Sequence, residues 1–392
     1  MIKGTLETVF KTYESEMMEF IKNSIRIRSY SDEEGEMAGS VMAQMKKLGF
    51  DEVFFDSVGN VVGRIGNGAE IIHFDSHMDT VLIKDANKWE VPPLSGGTVK
   101  GRVYGRGSVD AKSALCAAIY GAAIARDVGY TENKTIFVTA SVCEEYCDGE
   151  AIKLFYKECG VKPDYAIICE PSDNKIALGH KGKAQAWIKT RGCSSHSSDP
   201  EGGSNAVYEM TDIIRRVEEL NKRLFVEGGD HGTIAISSIS CDSASLNAVP
   251  SECSIYVDRR LAFDESLSQV KKEMDGLVEG KNAFWEPGTI KRTSWKGVKL
   301  TYEPMHNPWT VSRESRLASA LDRACESIIG SRTDKYIYWD FGTNAVTPVS
   351  MGIPTIGFGP GDYKLSHSMN ENCPTVDIKA ACKVYAGLIG EL

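Results

Sequence analysis

The chain lacks long apolar runs. None of its segments approaches the roughly 20 apolar residues that a membrane-spanning helix requires. The first residues, from Met1 to Glu7, contain nothing like the apolar core of a secretion signal. Internal repeats and low-complexity segments are also missing. We therefore expect no membrane partner, and the cytoplasm is the expected location.

Positive charge is the scarcer sign. The chain has 45 lysines and arginines against 54 aspartates and glutamates, and its net charge is -9. Because proteins bind nucleic acids largely by neutralising phosphates, this balance argues against a nucleic-acid partner. An apolar fraction of 42% is that of an ordinary globular protein, and a length of 392 residues predicts two domains.

Cysteine spacing of the kind that builds a disulfide framework is missing as well. The eleven cysteines are odd in number and scattered through apolar segments, which predicts reduced, buried thiols. Cys143 and Cys147 flank the pair Glu144 and Glu145, which raises the alternative of thiolate ligands for a metal. Packing is the commoner use of cysteine, and we expect packing here.

Strand-like runs alternate with helical segments in the first and last thirds of the chain. This pattern indicates an α/β domain, in which a mixed, mostly parallel sheet is covered by helices on both faces. The middle third has the order β-α-β-β-α-β, which is typical of a ferredoxin-like α+β unit. Its strands are predicted at residues 180–191, 233–240, 248–262 and 288–302, and its helices at 204–224 and 264–279. We therefore expect a domain of residues 1–177 and 303–392, with residues 178–302 inserted as a second domain.

Histidines and carboxylates cluster where the strand-like runs end. These residues are His77, Asp79, Asp110, Glu144, Glu145, Glu170 and, near the C-terminus, His367. In open α/β sheets, ligands bind outside the carboxyl ends of the strands. Two histidines and several carboxylates gathered there favour a metal site, and in particular a two-metal site.

The local spacing suggests how some of these residues could act. His77 and Asp79 are two apart and share a face of an extended backbone, so Asp79 could hold the ring nitrogen that a metal leaves free. Asp110 could bridge two ions, although its position before a helix also fits an N-cap. Glu144 and Glu145 point in different directions, so one could bind metal while the other serves as a base; alone, the pair would fit a solvated acidic turn.

At these positions the sequence closely resembles a family of di-zinc amidohydrolases and exopeptidases. The family includes acetylornithine deacetylase, succinyl-diaminopimelate desuccinylase, aminoacylase and carboxypeptidase G. The resemblance runs essentially from end to end. The matching strings lie at residues 77–81, 105–110, 144–145, 170–171, 196–206 and 366–371.

The resemblance implies a metal ligand at each of five positions. It implies that His77 and Glu170 hold one ion, that Glu145 and His367 hold the other, and that Asp110 bridges the two. The implied cofactors are two divalent ions, zinc first, with cobalt or manganese as alternatives because such donors accept all three. Departures from the family pattern, at residues 111–113 and at Cys143, fall outside the ligand positions.

The resemblance also implies the remaining roles. Glu144 would be the general base, and Asp79 would orient His77. The inserted domain would serve as a dimerisation and lid domain, and His196 within it would stabilise the oxyanion, often across a homodimer. Asn247 and Arg260 would bind the carboxylate end of the substrate. No role is assigned to the remaining histidines, His73, His231 and His306 among them.

The expected activity is hydrolysis of the amide bond of a small N-acyl amino acid by a metal-activated water, as in the deacylases of the family. An exopeptidase or dipeptidase is the close alternative, because its motifs are the same. A carbamoyl-type amidohydrolase of the same architecture is a further alternative. A catalytically silent relative that only binds metal is a remote one, since Glu144 and every implied ligand are present.

Overall fold

The computed structural model describes residues 5–331 and 333–392. Three single-turn 3-10 helices lie at Ala86–Lys88, Pro200–Gly202 and Tyr363–Leu365. The α-helices are α1 (Leu6–Arg26), α2 (Gly35–Lys47), α3 (Lys112–Val128), α4 (Glu150–Cys159), α5 (Ala206–Leu224), α6 (Leu267–Val278), α7 (Arg316–Ile329), α8 (Val346–Ser350) and α9 (Thr375–Glu391). No helix in the described ranges combines the length and apolar character needed to cross a bilayer.

The strands fall into two main sheets and two small ones. They are β1 (Glu52–Phe55), β2 (Val61–Gly66), β3 (Glu70–His77), β4 (Thr98–Val99), β5 (Arg102–Tyr104), β6 (Lys134–Ser141), β7 (Tyr165–Ile168), β8 (Ile176–His180), β9 (Gly182–Arg191), β10 (Thr233–Asp242), β11 (Glu252–Leu261), β12 (Ala283–Pro287), β13 (Ile290–Thr293), β14 (Lys299–Tyr302), β15 (Met305–His306), β16 (Trp309–Thr310), β17 (Tyr336–Trp339), β18 (Thr355–Gly357) and β19 (Asn372–Pro374).

The larger sheet has nine strands in the order β1-β2-β6-β3-β7-β18-β8-β16, with β17 paired to β8. Its middle is parallel: β3 pairs with β6 and β7, and β7 pairs with β18. The pairs β1–β2, β2–β6 and β8–β16 are antiparallel. The predicted mixed α/β fold is therefore confirmed, with antiparallel strands added on both sides of a parallel centre.

Helices cover both faces of this sheet. On one face α3 packs between α1 and α9, and α7 packs on α9. Close approach of α3 and α9 requires small residues, since a Cβ atom on Gly121 would lie 2.9 Å from Cβ of Tyr385. On the other face, Phe155 and Tyr156 of α4 pack against Phe137 of the sheet. The alanine-rich sequence of α3 thus serves burial on the sheet.

The smaller sheet has the order β10-β11-β9-β12, with β15 also paired to β9. Helices α5 and α6 cover one face and bury a core of their own, which includes Ile188, Met210 and Ile255. In chain order its four long strands are therefore arranged 2-3-1-4, in antiparallel pairs. This is the ferredoxin-like arrangement that the sequence predicts for the middle of the chain.

One predicted strand of this unit is wrong. The fourth strand is β12 (Ala283–Pro287), whereas residues 288–302 form a separate hairpin of β13 and β14. Gly297, with a φ of +82°, lies in the turn of this hairpin. The apolar side chains of Leu300 and Tyr302 join the core of the larger sheet. Their alternating pattern is that of a half-buried strand, and the pattern alone does not show which core buries it.

Candidate metal centre

The three central parallel strands deliver most of the predicted residues to one edge of the larger sheet. His77 is the last residue of β3, Glu144 and Glu145 follow β6, and Glu170 follows β7. Because β6, β3 and β7 are adjacent and parallel, their carboxyl ends meet at the same edge. Asp110 arrives from the loop before α3 and lies beside His77.

The five predicted ligands approach one another closely. His77 Nε2 lies 2.8 Å from Asp110 Oδ1 and 3.4 Å from Glu170 Oε1. His367 Nε2 lies 3.2 Å from Asp110 Oδ2 and 2.9 Å from Glu145 Oε2. Each oxygen of Asp110 therefore faces a different histidine, and the Nε2 atom of each histidine also faces a glutamate. This arrangement is a pair of donor sets that share one carboxylate.

The cluster concentrates negative charge in a buried place. Burial raises the pKa of Glu144 and of Glu170 well above the usual range of a carboxyl group. Burial alone would lower the pKa of His77, but the neighbouring carboxylates of Glu170 and Asp110 outweigh it and raise that pKa well above normal. Hydrogen bonds to Asp110 and Glu145 raise the pKa of His367 to about 10. All four shifts favour protonation, which lowers the negative charge of the cluster, and a bound cation would have the same effect.

The donor set fits divalent ions. Ligand atoms of His77, Asp110 and Glu145 lie within 4.8 Å of one another, and so do those of His77, Glu144 and Glu170. Imidazole nitrogens combined with carboxylate oxygens suit zinc and also cobalt or manganese. The residues that could hold metal are therefore the five predicted ligands, two histidines and three carboxylates, with Glu144 as a fourth carboxylate in the same group.

The two nearby cysteines do not contribute ligands to this cluster. Cys143 and Cys147 are buried in the main apolar core. Burial raises the pKa of the Cys147 thiol to about 12 and raises that of Cys143 as well. Both stay protonated thiols at neutral pH, as expected for cysteines used in packing.

The contacts of Asp79 differ in detail from the predicted one, in which its carboxylate holds the His77 ring. Nδ1 of His77 lies 2.9 Å from the backbone oxygen of Asp79 and 3.5 Å from its carboxylate. The carboxylate instead accepts hydrogen bonds from the backbone N–H groups of Glu144 and Glu145, at 3.1 and 3.2 Å, and from the hydroxyl of Ser31 at 2.6 Å. Asp79 thus holds the backbone of both glutamates as well as the ring of His77.

Ser31 shows what sequence patterns miss. A serine and an aspartate before a helical segment read as an N-cap, but α2 begins after Glu34 and the Ser31 hydroxyl donates to the Asp79 carboxylate.

Glu371 and Arg106 belong to matching strings but had no predicted role. Glu371 accepts hydrogen bonds from the backbone N–H groups of Val109 and Asp110, and its carboxylate pairs with Arg106 at 2.5 Å.

The three predicted residues of the inserted unit lie in two different places. His196 is exposed, its Nδ1 lies 2.7 Å from the Ser198 hydroxyl, and its loop pairs with the loop of Asn247 through a 2.8 Å backbone hydrogen bond. Neither residue lines the cleft beside the cluster of candidate ligands, whereas Arg260 does. The structure thus brings Arg260 to the cluster within a single chain and leaves His196 and Asn247 outside it.

The cleft has a volume of about 410 Å³ and lies between the cluster and the smaller sheet. Its walls include Asp110, Glu144, Glu145, Glu170 and His367 on one side. Lys183, Asp148 and Arg260 also line it, and the first two had no predicted role. His306, to which the sequence assigned no role, is largely buried in β15 and pairs in register with Lys183. The pairing of β15 with β9 could not be predicted from the sequence, because two residues are too few to show the alternating pattern of a strand.

Comparison with known proteins defines the class of this protein. The profile of Peptidase family M20/M25/M40 matches residues 73–391, so the chain belongs to this family. Hydrolases of this family act on amide bonds, and they include dinuclear metal-binding peptidases.

Individual relatives cover nearly the whole chain. The uncharacterized protein YgeY of Escherichia coli (strain K12) is 32% identical over 384 residues, which are 96% of this chain and 94% of YgeY. The acetylornithine deacetylase of Vibrio atlanticus is 28% identical over 81% of this chain and 82% of its own length. The crystal structure of an M20 family metallo-carboxypeptidase from Sulfolobus solfataricus shares the fold, with a TM-score of 0.72, 17% identity and coverage of 96% and 98%.

Proposed function

We propose that this protein is a two-metal deacylase that hydrolyses the amide bond of a small N-acyl amino acid. The observation that carries the proposal is Asp110, whose two oxygens face His77 and His367 separately within a cluster of carboxylates. The eleven cysteines lack the spacing of a disulfide framework and suit a reducing compartment, so we expect the enzyme to act in the cytoplasm.

In this proposal each metal has its own ligands and shares Asp110. His77 and Glu170 would hold one ion, and Glu145 and His367 the other. When bound, two divalent ions, zinc by preference, supply an activated water and a polarised scissile carbonyl. Glu371 keeps Asp110 in place, since it accepts hydrogen bonds from the backbone N–H groups of Val109 and Asp110.

Glu144 is the proposed base, and its contacts support this choice over Glu145. The Glu145 carboxylate already accepts from the Val81 N–H group at 3.2 Å and contacts His367. The Glu144 carboxylate makes no hydrogen bond within the described residues, yet it lines the cleft. A raised pKa suits a group that takes a proton from water and passes it to the leaving amine nitrogen.

The remaining roles belong to the inserted unit, residues 178–302 in our domain assignment. Arg260 would bind the substrate carboxylate from inside the cleft. His196 and Asn247 lie outside the cleft of their own chain, so we propose that they act from the partner subunit of a homodimer or after closure of the unit. There His196 would donate a hydrogen bond to the oxyanion.

An exopeptidase is the second candidate. Arg260 in the cleft would bind the free carboxylate of a dipeptide as well as that of an N-acyl amino acid. The two differ only in whether the scissile amide carries an acyl group or an amino acid.

Paired substrates separate these candidates. N-acetyl amino acids and dipeptides that share the same C-terminal residue would be assayed after metal removal and reloading with zinc, cobalt or manganese. We expect higher kcat/KM for the N-acetyl series. Faster turnover of the dipeptides would assign an exopeptidase, and no turnover by the fully loaded protein would refute hydrolysis altogether.

A further inference from the structure

The register of the smaller sheet places two cations side by side. Lys183 of β9 and Arg260 of β11 are direct cross-strand partners, so their side chains leave the same face of the sheet. Both line the cleft that contains Glu144. Like charges directly opposite each other in a sheet are destabilising. A pair of this kind inside a cleft therefore requires compensation by negative charge.

Part of the compensation comes from two aspartates. Lys183 Nζ lies 2.6 Å from Asp148 Oδ2, and the guanidinium of Arg260 contacts both oxygens of Asp258 at 2.7 and 3.0 Å. The Lys183 and Asp148 side chains are only 11% and 7% exposed. The attraction within a buried pair often only offsets the cost of removing both charges from water. This pair therefore contributes little to stability by itself, and its position in the cleft suggests another use.

Lys183 retains the capacity to bind a further anion. An ammonium group carries three N–H donors, and Asp148 is its only ion-pair partner within the described residues. The third member of the cross-strand row, His306, adds no positive charge, because burial lowers its pKa to about 4. Nε2 of His306 is buried without a hydrogen-bond partner in the described part of the chain. Within the described residues, the remaining N–H donors of Lys183 and the Nε2 atom of His306 are therefore available to a ligand, and the positive charge of Lys183 lies beside them.

The space around the pair is tightly defined. A Cβ atom on Gly342 would clash with the Asp148 carboxylate and would lie 3.1 Å from Cε of Lys183. The backbone of Gly342 therefore packs directly on the pair, which leaves Lys183 little freedom to move. On the other side, the Lys183 ammonium lies 5.7 Å from the centre of the Tyr302 ring. A cation held in this way is preorganised for a ligand in the cleft.

We propose that Lys183 is a specificity-determining residue that joins Arg260 in binding a carboxylate of the substrate, and that Asp148 is its positioning residue. This inference rests on the proposed hydrolase function, and it narrows the substrate to one with an anionic group besides the scissile amide. The carboxylate belongs either to the amino-acid part or to a dicarboxylic acyl group. Both present the same chemistry to the two cations.

Three substrates built from the same amino acid show which of these two carboxylates is bound. The first is the N-acetyl amino acid, the second is its C-terminal amide, which has no carboxylate, and the third is the N-succinyl amino-acid amide, which has a carboxylate only on the acyl group. Lys183→Met should raise KM about tenfold or more for the N-acetyl amino acid if the α-carboxylate is bound, or for the succinyl amide if the acyl carboxylate is bound. The KM of the neutral amide and every kcat should change less than about threefold.

Control variants distinguish binding from folding. Lys183→Arg keeps the charge and should restore much of the lost affinity, whereas Asp148→Asn should raise KM for the same substrate by a smaller factor than Lys183→Met. Lys189→Met is the matched control, since Lys189 lies on the same strand, pairs with Glu286 and is outside the cleft. Equal KM changes for the charged and neutral substrates, or none at all, would overturn the proposal.

A binding measurement separates this inference from the proposed function. Calorimetry would compare the free amino acid with its amide, and succinate with succinamide, on the wild-type protein and on Lys183→Met. Preference for either carboxylate over its amide that the substitution abolishes would support the subsite even if no substrate of the panel is hydrolysed. Hydrolysis of the panel without either preference would leave the proposed function intact and refute the role of Lys183.

Discussion

The Arg106–Glu371 pair offers a test of how the proposed metal ligands are held. Glu371 is completely buried and the Arg106 side chain is 5% exposed. Glu371 holds the backbone of Asp110, while Arg106 Nη2 lies 3.4 Å from the backbone oxygen of His367. The pair thus connects two loops. One contains Asp110, which both donor sets share, and the other contains His367, which belongs to one set.

Replacing Glu371 by glutamine keeps an acceptor for the two backbone N–H groups and removes the charge. The guanidinium of Arg106 then remains buried without its counter-ion. Loss of one partner of a buried pair costs about 3–5 kcal/mol, and loss of a residue that orients metal ligands lowers metal affinity about 10- to 100-fold. We therefore expect Glu371→Gln both to destabilise the metal-free protein and to weaken metal binding.

Urea unfolding of the metal-free protein and calorimetric titration with zinc measure the two effects separately. The matched control is Glu391→Gln, because Glu391 and Arg323 form a pair with a similar 2.6 Å separation, but both are largely exposed. Removing that charge should cost less than about 1 kcal/mol and leave zinc affinity unchanged. If Glu371→Gln behaves like this control, the pair does not hold the ligand loops as we argue.

Three other predictions address the chemistry. Glu144→Gln should retain its metal while turnover falls at least about 100-fold; unchanged turnover at full metal content would show that the other glutamate is the base. Mixed subunits carrying His196→Ala and Glu144→Gln should recover part of the activity, because one hybrid site holds both intact residues; no recovery despite subunit exchange would exclude action in trans. Metal removal should destabilise the protein increasingly as pH rises. The pKa values of Glu144, Glu170 and His367 are raised in the folded protein, so the metal-free state loses stability as pH climbs from near 4.5 towards about 10. Melting temperatures with and without zinc should therefore diverge between about pH 5 and 9; a constant difference would contradict the shifts.

The sequence predicts the fold class because periodicity is a local property. The alternation in the first third specifies a parallel centre, and the β-α-β-β-α-β order specifies the ferredoxin-like unit. The error at residues 288–302 has a physical origin. Leu300 and Tyr302 have the alternation of a strand in the inserted unit, but they pack on the other core. Burial against a distant segment leaves no separate trace in the local pattern.

The same distinction explains which parts of the candidate site are predictable. His77, Glu145 and Glu170 can be expected to meet, because each follows a strand and the ends of adjacent parallel strands coincide. The partners that hold them cannot be deduced in this way. Ser31 is 48 residues from Asp79 along the chain, and Glu371 is 261 residues from Asp110. Their hydrogen bonds exist only once the tertiary structure has formed.

The donor cluster and the proposed carboxylate subsite depend on different features of the fold. The donor cluster depends on strand ends, a feature that follows from topology and that the whole fold imposes. The proposed carboxylate subsite depends instead on the register that places Lys183 opposite Arg260. A shift of one residue in that register would turn Lys183 to the other face of the sheet, towards the buried core of the smaller unit. In this protein the reaction type therefore follows from where strands end, whereas the proposed preference for an anionic substrate follows from how two strands pair.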